Sequence, residues 1–227
     1  RRALAKQNPI DYSQYRQIQN KIREKALQEV ADPQSMSDIK FSILVPLYNT
    51  PVAFLDEMIE SVQNQVYGKW ELCLADGSDS EHLEMVQAEV GKYSEKDKRI
   101  RYKVLDKNGG ISENTNEALK MATGDFIVLF DHDDLLTRDA LYEFAKAIEA
   151  DPECDCLYSD EDKTDETGKH FFDAHFKPDF SIDLLCSVNY ICHLFAVRKE
   201  LVDKYGGFRK EYDGSQDHDF ILRMTEQ

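Results

Sequence analysis

Three carboxylates, Asp131, Asp133 and Asp134, surround His132 immediately after the apolar run FIVLF at 126–130. On a backbone held rigid by a sheet, such acids repel one another by about 4 kcal/mol per pair at ~4 Å and an effective dielectric near 20. A hard divalent cation, Mg2+ or Mn2+, is the economical compensation, with Asp131 and Asp133 as its ligands and a phosphorylated molecule as the group it would bridge to. A second reading stays open on these residues alone: Asp133 and Asp134 cap the turn into LLTRDAL and stay solvated. Near the other end of the chain, GSQDHDFILR opens a helix with Ser215 as N-cap and Asp217 in the first turn, where the helix dipole favours a carboxylate whatever its role.

The elements that must position these acids are legible from periodicity. IKFSILVPL reads as a buried strand, Thr50-Pro51 as an N-cap with a first-turn proline, and Leu55, Met58, Ile59 and Val62 as one helix face. WELCLAD is a second strand, and Ser78 with Glu81 reads as a capping box for a helix through Val86 and Val90. IRYKVLD is a third strand. NGGISENTNEAL turns through two glycines into a helix, FIVLF is the fourth strand, and Leu141, Phe144, Ala145 and Ile148 mark the next helix. This alternation predicts an α/β fold, a mostly parallel sheet with helices on both faces. Ligands of such sheets bind beyond the carboxyl ends of the strands, where PLYNT, ADGSDS, DKNGGIS and DHDD gather.

The 227 residues carry 28 basic and 44 acidic side chains, a net charge of −16, which repels a nucleic-acid backbone. Residues 1–40 alone carry a net +3. Within them DYSQYRQIQNKIREKALQEV predicts a helix with Tyr15, Ile18, Ile22 and Leu27 on one face, ended by ADPQSMSD; it suits packing on a domain, or a weaker contact with an anionic membrane surface. Five cysteines without C-x-x-C spacing read as reduced. No run approaches the ~20 apolar residues of a membrane span, and no apolar leader opens the chain, so a cytoplasmic location is expected, with the inner face of the plasma membrane as the further option.

The ordered blocks FSILVPLYNTP, ADGSDS, NGGISENTNEAL, ATGDFIVLFDHDDLL, YSDEDK, FKPDFSIDLL, NYICH and GSQDHDFILR resemble the family-2 glycosyltransferases over about residues 40–227, most closely the branch that builds bacterial surface polysaccharides, rhamnosyltransferases included. The resemblance implies a glycosyltransferase A-type fold. It divides the chain into an N-terminal helical extension, 1–38, and a transferase domain, 39–227, with a nucleotide-binding half at 39–135 and an acceptor-binding half at 136–227. The second half is expected to be cut short in mid-helix at Gln227, with a further histidine ligand beyond it.

The resemblance also implies metal-dependent inverting transfer from a nucleoside-diphosphate sugar to a hydroxyl of a glycan or lipid-linked acceptor. Pro46, Tyr48 and Asn49 match the loop along the nucleoside, Asp76 the carboxylate that pairs with the base, and Asn108 with Gly110 the turn near the nucleotide. Asp131 matches the ribose side and Asp133 the Mn2+ or Mg2+ ligand. Asp217 matches the general base, with Asp219 as fallback and Gln216 standing where many relatives have Glu. Asp160, Glu161 and His193 match acceptor-side blocks. Each has a plainer reading: Tyr48 a rim aromatic, Asp76 and Ser78 a turn, Gly109 and Gly110 a positive φ, and YSDEDK an acidic loop.

Two rival functions stay in view. One is a catalytically silent nucleotide-sugar-binding domain in a larger protein. The other is a haloacid-dehalogenase-type phosphatase, although its D-x-D belongs on a first strand and three strands precede FIVLF here.

Overall fold

The computed structural model describes residues 11–29 and 38–226. ADPQSMSD falls largely outside these residues and Gln227 wholly so. In chain order the elements are α1 (Tyr12–Glu29), β1 (Phe41–Leu47), α2 (Val52–Gln63), β2 (Trp70–Asp76), α3 (Leu83–Ser94), β3 (Ile100–Val104), α4 (Ile111–Leu119), β4 (Phe126–Leu129), α5 (Ala140–Ala150), β5 (Cys156–Tyr158), β6 (Glu161–Thr164), β7 (Phe171–His175), α6 (Ile182–Ser187), β8 (Phe195–Arg198), α7 (Lys199–Tyr205) and α8 (Gln216–Thr225).

They form two compact units. The large unit, described over 38–159 and 178–226, holds a six-stranded sheet of order β3-β2-β1-β4-β8-β5. The first four strands of the chain pair in parallel, as the alternation predicts. β8 departs from the pattern: it lies between β4 and β5 and runs antiparallel to both.

Every residue of β1 and β2 is buried, which matches their continuous apolar runs, because helices cover both faces of the sheet. On one face Phe41, Ile43 and Val45 meet Leu55, Met58, Ile59 and Val62 of α2, Val86 and Val90 of α3, and Leu141, Phe144 and Ile148 of α5. On the other, Leu44, Ile127 and Phe195 share a core with Ala118 of α4, Leu185 of α6, Val202 of α7 and Phe220 of α8. Glu71, an acid buried in the middle of the sheet on β2, accepts hydrogen bonds from Lys40 Nζ (2.8 Å), Ser42 Oγ (2.7 Å) and the Thr123 amide (2.6 Å).

The capping expectations fail in detail. Thr50 Oγ1 is buried without a hydrogen-bond partner, and Pro51 itself occupies the N-cap of α2. Ser78 does not cap α3: its hydroxyl accepts the Asn49 amide (2.9 Å), while Asp79 accepts the amides of Glu81 (3.1 Å) and His82 (3.2 Å). The aspartate is the better acceptor for a turn that precedes the helix by several residues.

The small unit, described over 11–29 and 160–177, consists of α1 and the antiparallel hairpin β6–β7. The expected helix is present, but none of its residues is buried, and Ile18 and Ile22 are more than half exposed.

Candidate active site

The four parallel strands deliver their following loops to one edge of the sheet. Pro46 near the end of β1 is buried; after the strand, Tyr48 is half exposed and Asn49 takes a left-handed φ of 52°. Asn49 ties the first loop to the second: its amide nitrogen Nδ2 donates to Asp79 Oδ2 (2.8 Å), and the Asp79 backbone N–H donates to Asn49 Oδ1 (3.0 Å). The hydrogen bond from His82, followed by that from Asn49, holds the Asp79 carboxyl down at about 2. Asp76 at the end of β2 is completely buried, with one carboxylate oxygen accepting from Tyr102 OH (2.6 Å) and the other from the Ser78 amide (2.8 Å).

The third loop folds on its own side chains. Asn108 Oδ1 accepts from the Gly110 amide (3.0 Å) and from Asn114 Nδ2 (2.9 Å), and Asn114 Oδ1 accepts from the Gly109 amide (3.0 Å). Gly110 enters α4 at φ 94°, a conformation that favours glycine.

After β4 the chain turns sharply, the Asp134 amide donating to the Asp131 carbonyl (3.3 Å). Because the turn has i to i+3 closure, Asp131 and Asp134 end on the same side, and His193 meets both. Its Nδ1 lies 3.1 Å from Asp134 Oδ2, and its Nε2 lies 3.8 Å from Asp131 Oδ2 and 3.9 Å from Asp217 Oδ2. One ligand atom from each of Asp131, Asp134 and His193 falls within 4.8 Å of the others. Asp133 is exposed and outside that group.

His193 reaches this edge because β8 is reversed. A residue preceding an antiparallel strand arrives where residues following the parallel strands leave, as the pairing of Phe195 with Leu129 shows. A small cavity lined by Pro46, Ile111, Asp131, His193, Phe208 and Asp217 joins the end of β4 to the start of α8. The D-x-D turn and the acid of the last helix therefore share one cleft.

The charges respond to this crowding. Burial, the largest influence on His193, pulls its pKa down, but hydrogen bonding to Asp134 and Asp217 and the charges of Asp131 and Asp134 outweigh it and leave the imidazole well above its usual range. Asp131 is raised, first by burial and then by Asp134, Asp217 and Asp133, against the opposing pull of His193. Three carboxylates, those of Asp131, Asp134 and Asp217, converge on one imidazole and leave the site with a deficit of positive charge.

Asp217 sits in the first turn of α8, behind Ser215 as N-cap, and accepts a hydrogen bond from Gln216 Nε2 (3.1 Å). The Ser215 hydroxyl makes no capping bond; it donates weakly to the Tyr212 carbonyl (3.4 Å). Asp219, the fallback base, is buried between Arg209 and Arg223. Burial raises its pKa, yet the two guanidinium groups overcome that and lower it. Its two arginines make it a brace of the α7–α8 loop.

Asp160 and Glu161 belong to the small unit. There Asp160 accepts the Lys177 amide (2.8 Å), and Glu161 pairs with His175 (3.2 Å) and Lys177 (3.1 Å). Asp134 is the group member that sequence reasoning passed over; its signal was the three-residue spacing from Asp131.

The glycosyl transferase family 2 model matches residues 42–206, and the chain belongs to that family. It is 40% identical over 186 residues to the O-antigen biosynthesis protein RfbC of Myxococcus xanthus, an alignment covering 82% of this chain and 14% of RfbC. The chain thus spans a small part of the length of this relative. TarS of S. aureus, in its 1–349 form, superposes with a TM-score of 0.63 at 25% identity, over 82% of this chain and 55% of that one; a further TarS structure holds UDP-GlcNAc. The mannosyltransferase PcManGT of Pyrobaculum calidifontis, solved with GDP-Man and Mn2+, shares the fold with a TM-score of 0.58 at 22% identity, over 88% of this chain and 57% of that one. Membership of this family, with the acidic turn on the fourth strand, removes the phosphatase reading.

Proposed function

We propose that this domain transfers a sugar, with inversion at the anomeric carbon, from a nucleoside-diphosphate sugar to a hydroxyl of a glycan or lipid-linked acceptor in the synthesis of a bacterial surface polysaccharide. The observation that carries the reading is the shared cleft of Asp131, His193 and Asp217.

Asp217 acts as the general base: an acceptor oxygen within about 3 Å of its carboxylate loses its proton as it attacks the anomeric carbon. Tyr48, half exposed beside the buried Pro46, offers a ring face to the nucleoside, and Asn49 fixes the loop that carries it. Asp76 would meet a base edge once Tyr102 yields the carboxylate oxygen it now occupies. The Asn108–Gly110 turn leaves backbone near the nucleotide with no side chain at Gly110 to obstruct it.

Asp131, Asp134 and His193 fit a divalent cation, since three ligand atoms of suitable type already converge there. The carboxylates suit Mn2+ or Mg2+, the imidazole favours the former, and exposed Asp133 is a fourth candidate on the same turn. When bound, such an ion supplies positive charge that stabilises a diphosphate leaving group. Of the acceptor-side candidates carried by the family resemblance, His193 belongs to the large unit, and Asp160 and Glu161 belong to the small one. We place the reaction in the cytoplasm, at the membrane face when the acceptor is lipid-linked. No helix among the described residues is long and apolar enough to cross a membrane.

The test is nucleoside-diphosphate release from UDP-GlcNAc, UDP-glucose, dTDP-rhamnose and GDP-mannose, with Mn2+ and a panel of p-nitrophenyl glycosides as acceptors. Asp217→Asn should lower turnover by about 10²- to 10⁴-fold while leaving donor affinity unchanged. Binding of a nucleotide sugar without any turnover would favour the silent-domain reading. For the ion, Asp134→Ala should weaken Mn2+-dependent donor binding in calorimetry more than Asp133→Ala does; the reverse order would return the ligand role to Asp133.

A further inference from the structure

We propose that Asn116 is a positioning residue for Asp217, an inference that rests on the glycosyl-transfer reading above. Asn116 lies on α4, the helix that leaves the Asn108–Gly110 turn, and its side chain reaches across to the loop between α7 and α8. There it makes both bonds of a strand-like pair with one residue: Asn116 Nδ2 donates to the Phe208 carbonyl (2.8 Å), and the Phe208 amide donates to Asn116 Oδ1 (2.8 Å). The preceding residue is glycine, and a Cβ at Gly207 would collide with Asn116 Oδ1. The close approach is therefore built into two separate stretches of the sequence.

Phe208 passes this constraint to the base helix. Its ring stacks on Phe220 with centroids 4.4 Å apart and planes 9° from parallel. Phe220 follows Asp217 by three residues on α8 and so lies on the same flank of the helix. Phe208 also lines the cavity into which Asp131, His193 and Asp217 face.

The loop has further ties on both sides. Arg223 of α8 donates to the carbonyls of Tyr205 (3.1 Å), Gly206 (3.0 Å) and Gly207 (2.6 Å). On the α4 side Lys210 donates to the Gly109 carbonyl (2.9 Å), and the Ser112 amide donates to Asp213 (3.3 Å). Asn116 is the side chain that fixes Phe208, the loop residue whose ring stacks on the base helix. It thereby sets the offset between the turn expected near the donor and the carboxylate expected to activate the acceptor.

A displacement of the order of 1 Å at a reacting group costs on the order of 10²-fold in rate. Removing the two bonds should shift Phe208 and the first turn of α8 while leaving the donor-side loops in place. A merely structural Asn116 would instead lower stability and leave the turnover of each folded molecule unchanged.

The experiment uses the full chain and the donor–acceptor pair from the panel above that gives turnover. Asn116→Ala should lower kcat by on the order of 10²-fold with the donor KM within about twofold of wild type. Asn116→Asp keeps an acceptor for the Phe208 amide but turns a carboxylate oxygen against the Phe208 carbonyl, so its kcat should fall as well with the donor KM unchanged; it also serves as the reading should Asn116→Ala fail to fold. In an Asp217→Asn background, Asn116→Ala should cause no further loss, because the group it positions is already disabled. An unchanged kcat, or an equal loss in both backgrounds, overturns the proposal. Absence of turnover by wild type throughout the panel overturns the transfer reading itself, and this inference with it.

Discussion

The two units of the molecule are held together by different physics. In the large one, apolar side chains from both faces of a sheet are withdrawn from water: Phe41 has no exposed surface and meets the rings of Tyr67, Phe126 and Phe144 at 5.8, 6.1 and 6.5 Å. In the small one no apolar residue of the described stretch is buried. A few polar and aromatic contacts replace a core: Arg16 Nε and Tyr12 OH share Asp162 Oδ2 at 2.7 and 2.6 Å, the Arg16 guanidinium lies 3.1 Å from the centre of the Phe171 ring, and Tyr15 meets Phe176 edge-on. Such contacts give direction and partner choice, whereas stability scales with apolar area. The large unit should therefore unfold as one cooperative body, and the small unit should open locally at lower cost.

The largest expected effect tests the core. Phe41→Ala should cost about 3–5 kcal/mol in denaturant unfolding, since it leaves a cavity among three rings. A cost below 1 kcal/mol would contradict the assignment of stability to burial.

Next is the buried charge in β2. Burial alone would raise the Glu71 carboxyl from its ordinary 4.5, but Lys40, Ser42 and Thr123 override it and bring it down to about 2. A depressed carboxylate pKa contributes stability that is complete above the unfolded value and is lost as pH falls through the folded value. The Glu71 contribution, about 3 kcal/mol, should thus disappear between about pH 4.5 and 2. Unfolding curves of wild type and Glu71→Gln should converge across that window; parallel curves would remove Glu71 from the account.

The smallest effect belongs to the small unit. Arg16→Ala should cost about 1 kcal/mol, read as a roughly fivefold faster amide exchange in β6 and β7 with the melting temperature of the large unit unchanged. High salt should reproduce part of that change in wild type. A drop in the large unit's melting temperature would break the contrast between the two.

What the sequence disclosed follows the same division. The faces of α2 and α5 are buried at the positions that periodicity selects, Leu55, Met58, Ile59 and Val62 in one and Leu141, Phe144, Ala145 and Ile148 in the other, because burial leaves a pattern in neighbouring residues. The acidic turn on β4 and the placement of Asp217 at the head of a helix were legible for the same local reason. Long-range pairings were not. Nothing near YSDEDK indicates that residues 160–177 group with α1, and nothing near NYICH indicates that the strand after it runs backwards. The gathering of Asp134 with His193 depends on that reversal, so a reading confined to the D-x-D spacing chose Asp133 beside Asp131. Thr50 and Ser78 illustrate a smaller limit: both have the right chemistry for a cap, and the backbone gives neither the geometry for it.

The reversed direction of β8 also sorts the second half of the chain by its tolerance to changes of length. His193 stands two residues before Phe195, which pairs with Leu129, so one residue gained or lost between them carries the imidazole out of register with the β4 turn. Beyond Arg198 the chain emerges at the opposite margin of the sheet, where α7 begins. There the ties are different ones, the Arg198 amide donating to the Asp155 carbonyl and the Lys199 amide to the Asp125 carbonyl, so a change of length at that junction strains α7 before it reaches the β4 turn.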